Sequence, residues 1–445
     1  MSLDAEIHSS AELGFDRSAV SPESLEVVRT LKSLGYDGFL VGGCVRDLIM
    51  GLKPKDFDVA TDALPAEVQD IFSRSRIIGR RFKIVHVVSR RGRFRHVVEV
   101  TTYRAASESP NGRAFSRSDH TGRILADNVY GTREEDVMRR DFTLNALYYD
   151  PLEEEVIDYL GGIRDIRRRQ LRMIGDPDRR FAEDPVRMIR AVRFQARLGF
   201  ELQDEIESSI RNRFRCLEDI HTSRLYDEVI KLFHQGSAED AWDRLFETPL
   251  GKMLFPHVAS PVRHGQPDSC PAFVRGALRN TDNRVRAGMP VIDSFFVAVV
   301  FWDEYRKALG RQRAERMAKH EAHGLAVLET LDDSSGLVII PLRVRTIVQE
   351  IWWMQDLMER RPRKNIASLM ANRRFRAAYD FLVLRAEAGE IDRVSPDWWT
   401  RLQDAAPNER RSMIDSLPRA KKKRRRRRAG RARAQCSPAQ NQGAV

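Results

Sequence analysis

Cysteine is scarce in this chain. Cys44, Cys216, Cys270 and Cys436 are its four thiols in 445 residues, and their scattered spacing excludes a disulfide framework and a zinc knuckle. Long apolar runs are missing too. The hydrophobic fraction of 42% suffices for packed cores, yet no stretch approaches the roughly twenty apolar residues of a membrane span. A leader peptide is also unexpected, because Asp4, Glu6, Glu12 and Asp16 fall near the start of the chain. These absences point to a cytoplasmic protein without a membrane partner. The length, 445 residues, implies two to four domains.

The net charge of +12 is a local surplus. Lys421 to Ala434 read KKKRRRRRAGRARA, which places ten basic side chains and no acid together and leaves +2 for the remainder. Such a block cannot bury itself and is expected to be disordered when alone. It reads as an electrostatic tether for RNA or another polyanion. A solubilising terminus and a nuclear import signal are the competing readings.

The richest information lies between Leu40 and Asp62. Leu40-Val41 ends a buried strand, and Gly42-Gly43 lets the backbone turn sharply and approach a ligand, with Arg46 on the first helical turn beyond. Backbone N–H groups, helix dipole and guanidinium would converge there on an anion such as a triphosphate. Downstream, Asp56 and Asp58 alternate with Phe57 and Val59, the period of a half-buried strand with both carboxylates on one face. Paired acids repel, but two Mg²⁺ ions about 3.5–4 Å apart require them. The combination argues for nucleotidyl transfer; a turn followed by a solvated strand end is the plainer alternative.

The segment 24–149 alternates helix-like and strand-like stretches: helices at Glu23–Leu34 and Pro65–Phe72, strands at Lys83–Val88 and Val97–Tyr103. Glu99 interrupts the last strand's apolar run, either as a third metal-site carboxylate or as a solvent-facing residue. Ser107–Gly122 reads as a mobile surface loop. Thr132-x-x-Glu135 has capping-box spacing and starts a helix leading to Arg139, Arg140 and Asp141, which form a surface ion pair, or the arginines hold phosphates while Asp141 braces one of them or the catalytic face.

Beyond Gly161-Gly162 strand signals vanish. Asp184-Pro185 reads as a helix N-cap and first residue, after which Arg187, Arg190, Arg193 and Arg197 fall on one helical face and Met188, Ile189, Ala191, Val192, Ala196 and Leu198 on the other. The arginine face is solvated, or it walls a site for a base and triphosphate with Asp184 bonded to the base. Trp242, Trp302, Trp352, Trp353, Trp398 and Trp399 suit a helical core. Two basic clusters, Arg360–Lys364 and Asn372–Arg376, offer surfaces along which RNA could run.

Together these residues resemble the class II nucleotidyltransferases, the family of tRNA CCA-adding enzymes and bacterial poly(A) polymerases. The resemblance rests on Gly42-Gly43-x-x-Arg46-Asp47, Asp56-x-Asp58, Arg139-Arg140-Asp141-Phe142-Thr143-x-Asn145-Ala146 and Glu183-Asp184-Pro185-x-Arg187. It implies an α+β fold: a small mixed-sheet nucleotidyltransferase head, then an all-helical neck, body and tail. The expected divisions are an N-terminal extension at 1–22, the head at 23–155, the neck at 156–235, body and tail at 236–417, and a basic terminus at 418–445. By resemblance, Asp56 and Asp58 bind two Mg²⁺ ions with Glu99 as candidate third ligand, and Asp141 joins the catalytic set. Gly42, Gly43, Arg46, Arg139 and Arg140 bind the triphosphate of ATP, and Asp184, Arg187, Arg190 and Arg193 select the nucleotide. Ile77–Val87 resembles the segment that marks the poly(A) branch, which also often ends in a basic tail. None of the ten histidines precedes an Asp, so the His-Asp phosphohydrolase module of some CCA-adding enzymes is missing. The implied partners are RNA 3′ ends, ATP and RNA-degradation machinery.

Overall fold

The structure, a computed structural model, describes residues 3–79, 83–91, 94–105, 117–118, 124–126, 129–258, 271–333 and 336–418. Arg80–Phe82 of the branch-marking segment, most of the Ser107–Gly122 loop and the basic run from Lys421 lie outside the described residues.

In chain order the strands are β1 (Glu6–Ser9), β2 (Phe39–Val41), β3 (Asp58–Thr61), β4 (Ser75–Ile78), β5 (Ile84–Arg91), β6 (Phe94–Thr102), β7 (Arg117–Ser118), β8 (Ile124–Ala126), β9 (Leu147–Asp150), β10 (Glu155–Asp158), β11 (Gln170–Leu171) and β12 (Glu201–Leu202). Eight form one mixed sheet in the order β1-β10-β9-β2-β3-β6-β5-β4, with β3 and β6 parallel and the other neighbours antiparallel. The α+β expectation holds: a sheet-containing head precedes a helical remainder. Two details of the head differ from the sequence reading. Residues 6–9 supply an edge strand to the sheet, pairing with β10. Arg117–Ser118, inside the expected loop, pairs with β8.

Helices start where local chemistry places them. Ser21 accepts from the Ser24 N–H and Pro22 opens α1 (Pro22–Ser33), with α2 (Gly43–Ile49) and α3 (Pro65–Ile71) following. At α4 (Arg133–Arg139) the capping box is complete: Thr132 Oγ1 accepts from Glu135 N at 3.3 Å and Glu135 Oε2 accepts from Thr132 N at 2.9 Å. Strand alternation divides the head's interior. Leu40, Val59 and Val100 join the large core with α1, whereas Phe39, Val41, Ala60, Tyr103 and Tyr148 form a smaller cluster with Val137 of α4.

Past the sheet come α5 (Gly162–Arg168), α6 (Pro177–Glu183), α7 (Val186–Leu198), α8 (Asp204–Arg213) and α9 (Thr222–Phe233), then further helices to Asp415. The two-residue strands β11 and β12 pair in parallel here, although strand signals had ended. Five of the six tryptophans are buried and the sixth, Trp353, is half-buried against His320 and His323. Trp398 and Trp399 belong to a separate C-terminal core with Met358, Phe375 and Leu382. Among the described residues no helix is long and apolar enough to cross a membrane.

Candidate active site between the sheet and the arginine helix

The Gly-Gly turn fixes one wall. Gly42 has φ 75° and ψ −129°, a conformation open to glycine, and it hands β2 directly to α2. A Cβ on it would lie 3.4 Å from Arg140 Nη1. Arg46 is not the free phosphate ligand that the sequence reading pictured. At 2% exposure its Nε and Nη2 donate to Asp47 Oδ1 at 2.9 and 2.6 Å, and Nη1 donates to Asn145 Oδ1 at 2.7 Å. It reaches the cavity while holding the turn to the Asn145 segment.

Asp58 opens β3 at the end of the short ladder, and register places Glu99 beside it on the same sheet face. Burial, then the neighbouring Glu99, raises the Asp58 carboxyl to about 6; Arg140 opposes this and Asp56 adds to it. Asp56 departs from expectation: it is exposed and precedes the strand. The reason is the turn. Because β2 stops at Val41, opposite Asp58, the chain preceding Asp58 has no antiparallel partner. Glu99 Oε1 lies 3.2 Å from His86 Nε2. Among the described residues no three His, Cys, Asp or Glu side chains already stand grouped as a metal cage.

The arginine face of α7 is turned inward. Arg190 pairs with Asp141, Nε to Oδ2 at 2.7 Å, and Arg197 with Asp47 at 2.9 Å. Arg193 lies 3.6 Å from Glu228, and Arg187 donates to Glu183 and to the Arg180 carbonyl. A solvated stripe is therefore excluded. Burial, and after it adjacent Arg190, pulls Arg193 down to about 10, against the opposing pull of Glu228 and Asp141. Asp141 is 8% exposed and accepts from Phe142 N–H, Asn145 Nδ2 and Arg190. Burial alone would raise it, but Arg190 and Asn145 prevail and hold it well below the usual carboxylate range. With these acceptor positions used, Asp141 braces Arg190.

Arg140 likewise is fixed, donating to Asp136 Oδ2 at 2.8 Å and to Tyr148 Oη at 3.3 Å. The Arg139 carbonyl accepts from Arg180 at 2.7 Å. Asp184 does not cap α7: Pro185 is the N-cap residue, and Asp184 Oδ2 instead accepts from Arg224 at 2.6 Å. Its backbone ends α6, the Asp184 N–H donating to the Arg180 carbonyl.

These groups surround a cavity of about 460 Å³. Of the predicted residues, Gly42, Gly43, Arg46, Asp58, Arg139, Arg140, Asp141, Asp184, Arg187, Arg190 and Arg193 line it; Asp56 and Glu99 do not. Arg104, Asn145, Phe194, Arg197, Arg224 and Glu228 also line it. Asn145 and Arg197 sat within the motifs already noted. Arg224 and Glu228, four apart on α9, carried no sequence signal. Nine arginines and four carboxylates line it, and Asp47, Asp136 and Glu183 pair with lining arginines from behind, which leaves a smaller positive balance suited to an anionic ligand.

A family model described as the poly A polymerase head domain matches residues 38–172. Models of the probable RNA and SrmB-binding site of polymerase A and of the polymerase A arginine-rich C-terminus match 199–260 and 315–433. Poly(A) polymerase I of Salmonella typhi is 38% identical over 406 residues, covering 90% of this chain and 86% of that relative. The chain belongs to the poly(A) polymerase family. Resemblance to the CCA-adding enzyme of Lactobacillus helveticus, 34% over 230 residues, covers 52% of this poly(A) polymerase family member and 54% of that enzyme. Among solved structures, the Bacillus stearothermophilus CCA-adding enzyme in complex with CTP superposes with a TM-score of 0.56 at 28% identity, covering 89% of this chain and 84% of that one. The two branches thus share a fold.

Proposed function

We propose that the chain adds AMP from ATP to RNA 3′ ends without a template and releases pyrophosphate. The observation that carries this reading is the meeting of an arginine-rich cavity with the acidic corner at Asp58. The choice of AMP is supported by a resemblance to a poly(A) polymerase that spans 90% of the chain, against about half for a CCA-adding enzyme.

In this reading the RNA 3′ oxygen bonds to the α-phosphorus of ATP as the α–β phosphoanhydride bond breaks. The surplus arginines balance the triphosphate and the charge leaving with pyrophosphate. Gly42-Gly43 allows close approach to the phosphates, and Arg46, Arg139 and Arg140 shape that wall. Asp184, Arg187 and Arg193 face the base. Asp141 acts through Arg190, fixing its guanidinium.

Asp58, raised by burial and then by Glu99, supplies the oxygen donor that a hard divalent cation takes, and Asp58, Asp56 and Glu99 would hold two Mg²⁺ ions. When bound, Mg²⁺ supplies charge neutralisation and acidifies the RNA 3′-hydroxyl. We place the reaction in the cytoplasm. Primer extension tests the reading: ATP should yield long ladders on oligo(A). Addition confined to C, C and A on a tRNA lacking its CCA end would overturn it.

A further inference from the structure

A second concave surface lies at the C-terminal end of the described chain, a groove of about 910 Å³ where the turn after helix Leu342–Arg360 meets helix Pro407–Asp415. Arg360, Arg361, Arg363, Lys364, Arg410 and Arg411 line it against one acid, Asp415. Four of these cations are held in place, Arg360 by Asp356. Arg361 closes its helix in left-handed backbone at φ 47°, with its guanidinium 5.7 Å from the Trp398 ring centroid. Arg410 donates to the carbonyls of Leu402, Gln403 and Ala405, and Arg363 pairs with Asp415, 52 positions away. Ordered cations sacrifice little conformational freedom when an anion arrives.

Asp356 pairs with Arg360 and Asp415 with Arg363, so six positive groups around one concavity meet two acids, and the remaining repulsion is relieved when an anion enters. The Lys421–Ala434 run, which begins three positions after Pro418, has the same sign and cannot be that occupant. Groove and terminus therefore address one external polyanion. None of the described lining residues is aromatic, so the groove offers charge without a ring on which a base could stack. We propose that it is a second RNA site, gripping the phosphodiester backbone of a single strand away from the reacting 3′ end, whatever its bases. This rests on RNA being the substrate, as proposed above.

The test uses the full chain carrying Lys364→Gln and Arg411→Gln, both exposed and outside the catalytic cavity. Affinity for a labelled oligo(A) and an oligo(U) of equal length is measured across a salt series. With two fewer phosphates neutralised, the log–log salt slope should flatten by about 1.4 for both RNAs, at about 0.7 per phosphate on a single strand. AMP addition to a very short primer should stay at the wild-type rate, which also reports an intact fold. An unchanged slope, or one altered for oligo(A) alone, overturns the proposal. So does a variant that loses poly-glutamate binding while its RNA slope is preserved, since the groove would then dock an acidic protein. Failure of the unaltered chain to extend any primer would instead sink the adenylyl-transfer reading, and the slopes would still judge the groove.

Discussion

Asp58→Asn should make the metal-free protein more stable while removing its ability to add AMP. In the folded chain burial and Glu99 raise the Asp58 carboxyl from its ordinary 3.8 to about 6. The folded state therefore holds that proton more tightly than the unfolded state does. Below about pH 4 both states are protonated and no penalty exists; between about pH 4 and 6 the penalty grows, and above about 6 it is fully present. At 1.36 kcal/mol per pH unit the raised value corresponds to about 3 kcal/mol, which solvent screening of a partly exposed group trims to about 1–2 kcal/mol. Asn fills the same space without charge, so it should melt a few degrees higher than the parent at pH 7.5 in chelator. The two should melt together near pH 4. Adding Mg²⁺ at pH 7.5 should narrow the gap, because a cation bound to the folded parent stabilises it and Asn binds it poorly. Thermal melts at both pH values, with chelator and with Mg²⁺, provide the readout. A variant that melts below the parent at pH 7.5 in chelator would refute the electrostatic reasoning, and one that still extends RNA normally would refute the metal assignment.

Three further outcomes are expected. Arg190→Met leaves the Asp141 carboxylate buried without its ion-pair partner, so stability should fall by about 3 kcal/mol, read by denaturant melts, and ATP affinity should fall with it. Gly42→Ala forces a Cβ into a backbone at φ 75°, costing roughly 1–3 kcal/mol and lowering kcat/KM for ATP; wild-type kinetics would show that the turn is unimportant. Deleting residues 421–445 should flatten the salt dependence of RNA binding by up to about 0.7 for every phosphate the terminus neutralises, and an unchanged slope would return this segment to a solubilising role.

Local chemistry made much of the head legible. Thr132 with Glu135 set the start of α4, because a cap needs partners only three residues apart, and periodicity placed α1 to within a residue at either end. Gly42-Gly43 marked the turn since few other residues accept its backbone. Alternation in β3 and β6 put Asp58 and Glu99 each on a definite face, though their side-by-side register came from the fold.

The partners of each charge were a different matter. Helical period gathered Arg187, Arg190, Arg193 and Arg197 on one face but was silent on whether that face met water or protein. Asp141, Glu228 and Asp47, from three separate elements, answered that in the fold. Tertiary structure likewise drew Arg224 across to Asp184, spent Arg46 on Asp47 and Asn145, and left Asp56 outside a strand because β2 turns away at Gly42. By itself the sequence determined elements, faces and the chemical classes of the site residues, since those depend on neighbours along the chain. Which carboxylate meets which guanidinium was decided only in three dimensions, because that pairing depends on convergence between segments tens of residues apart.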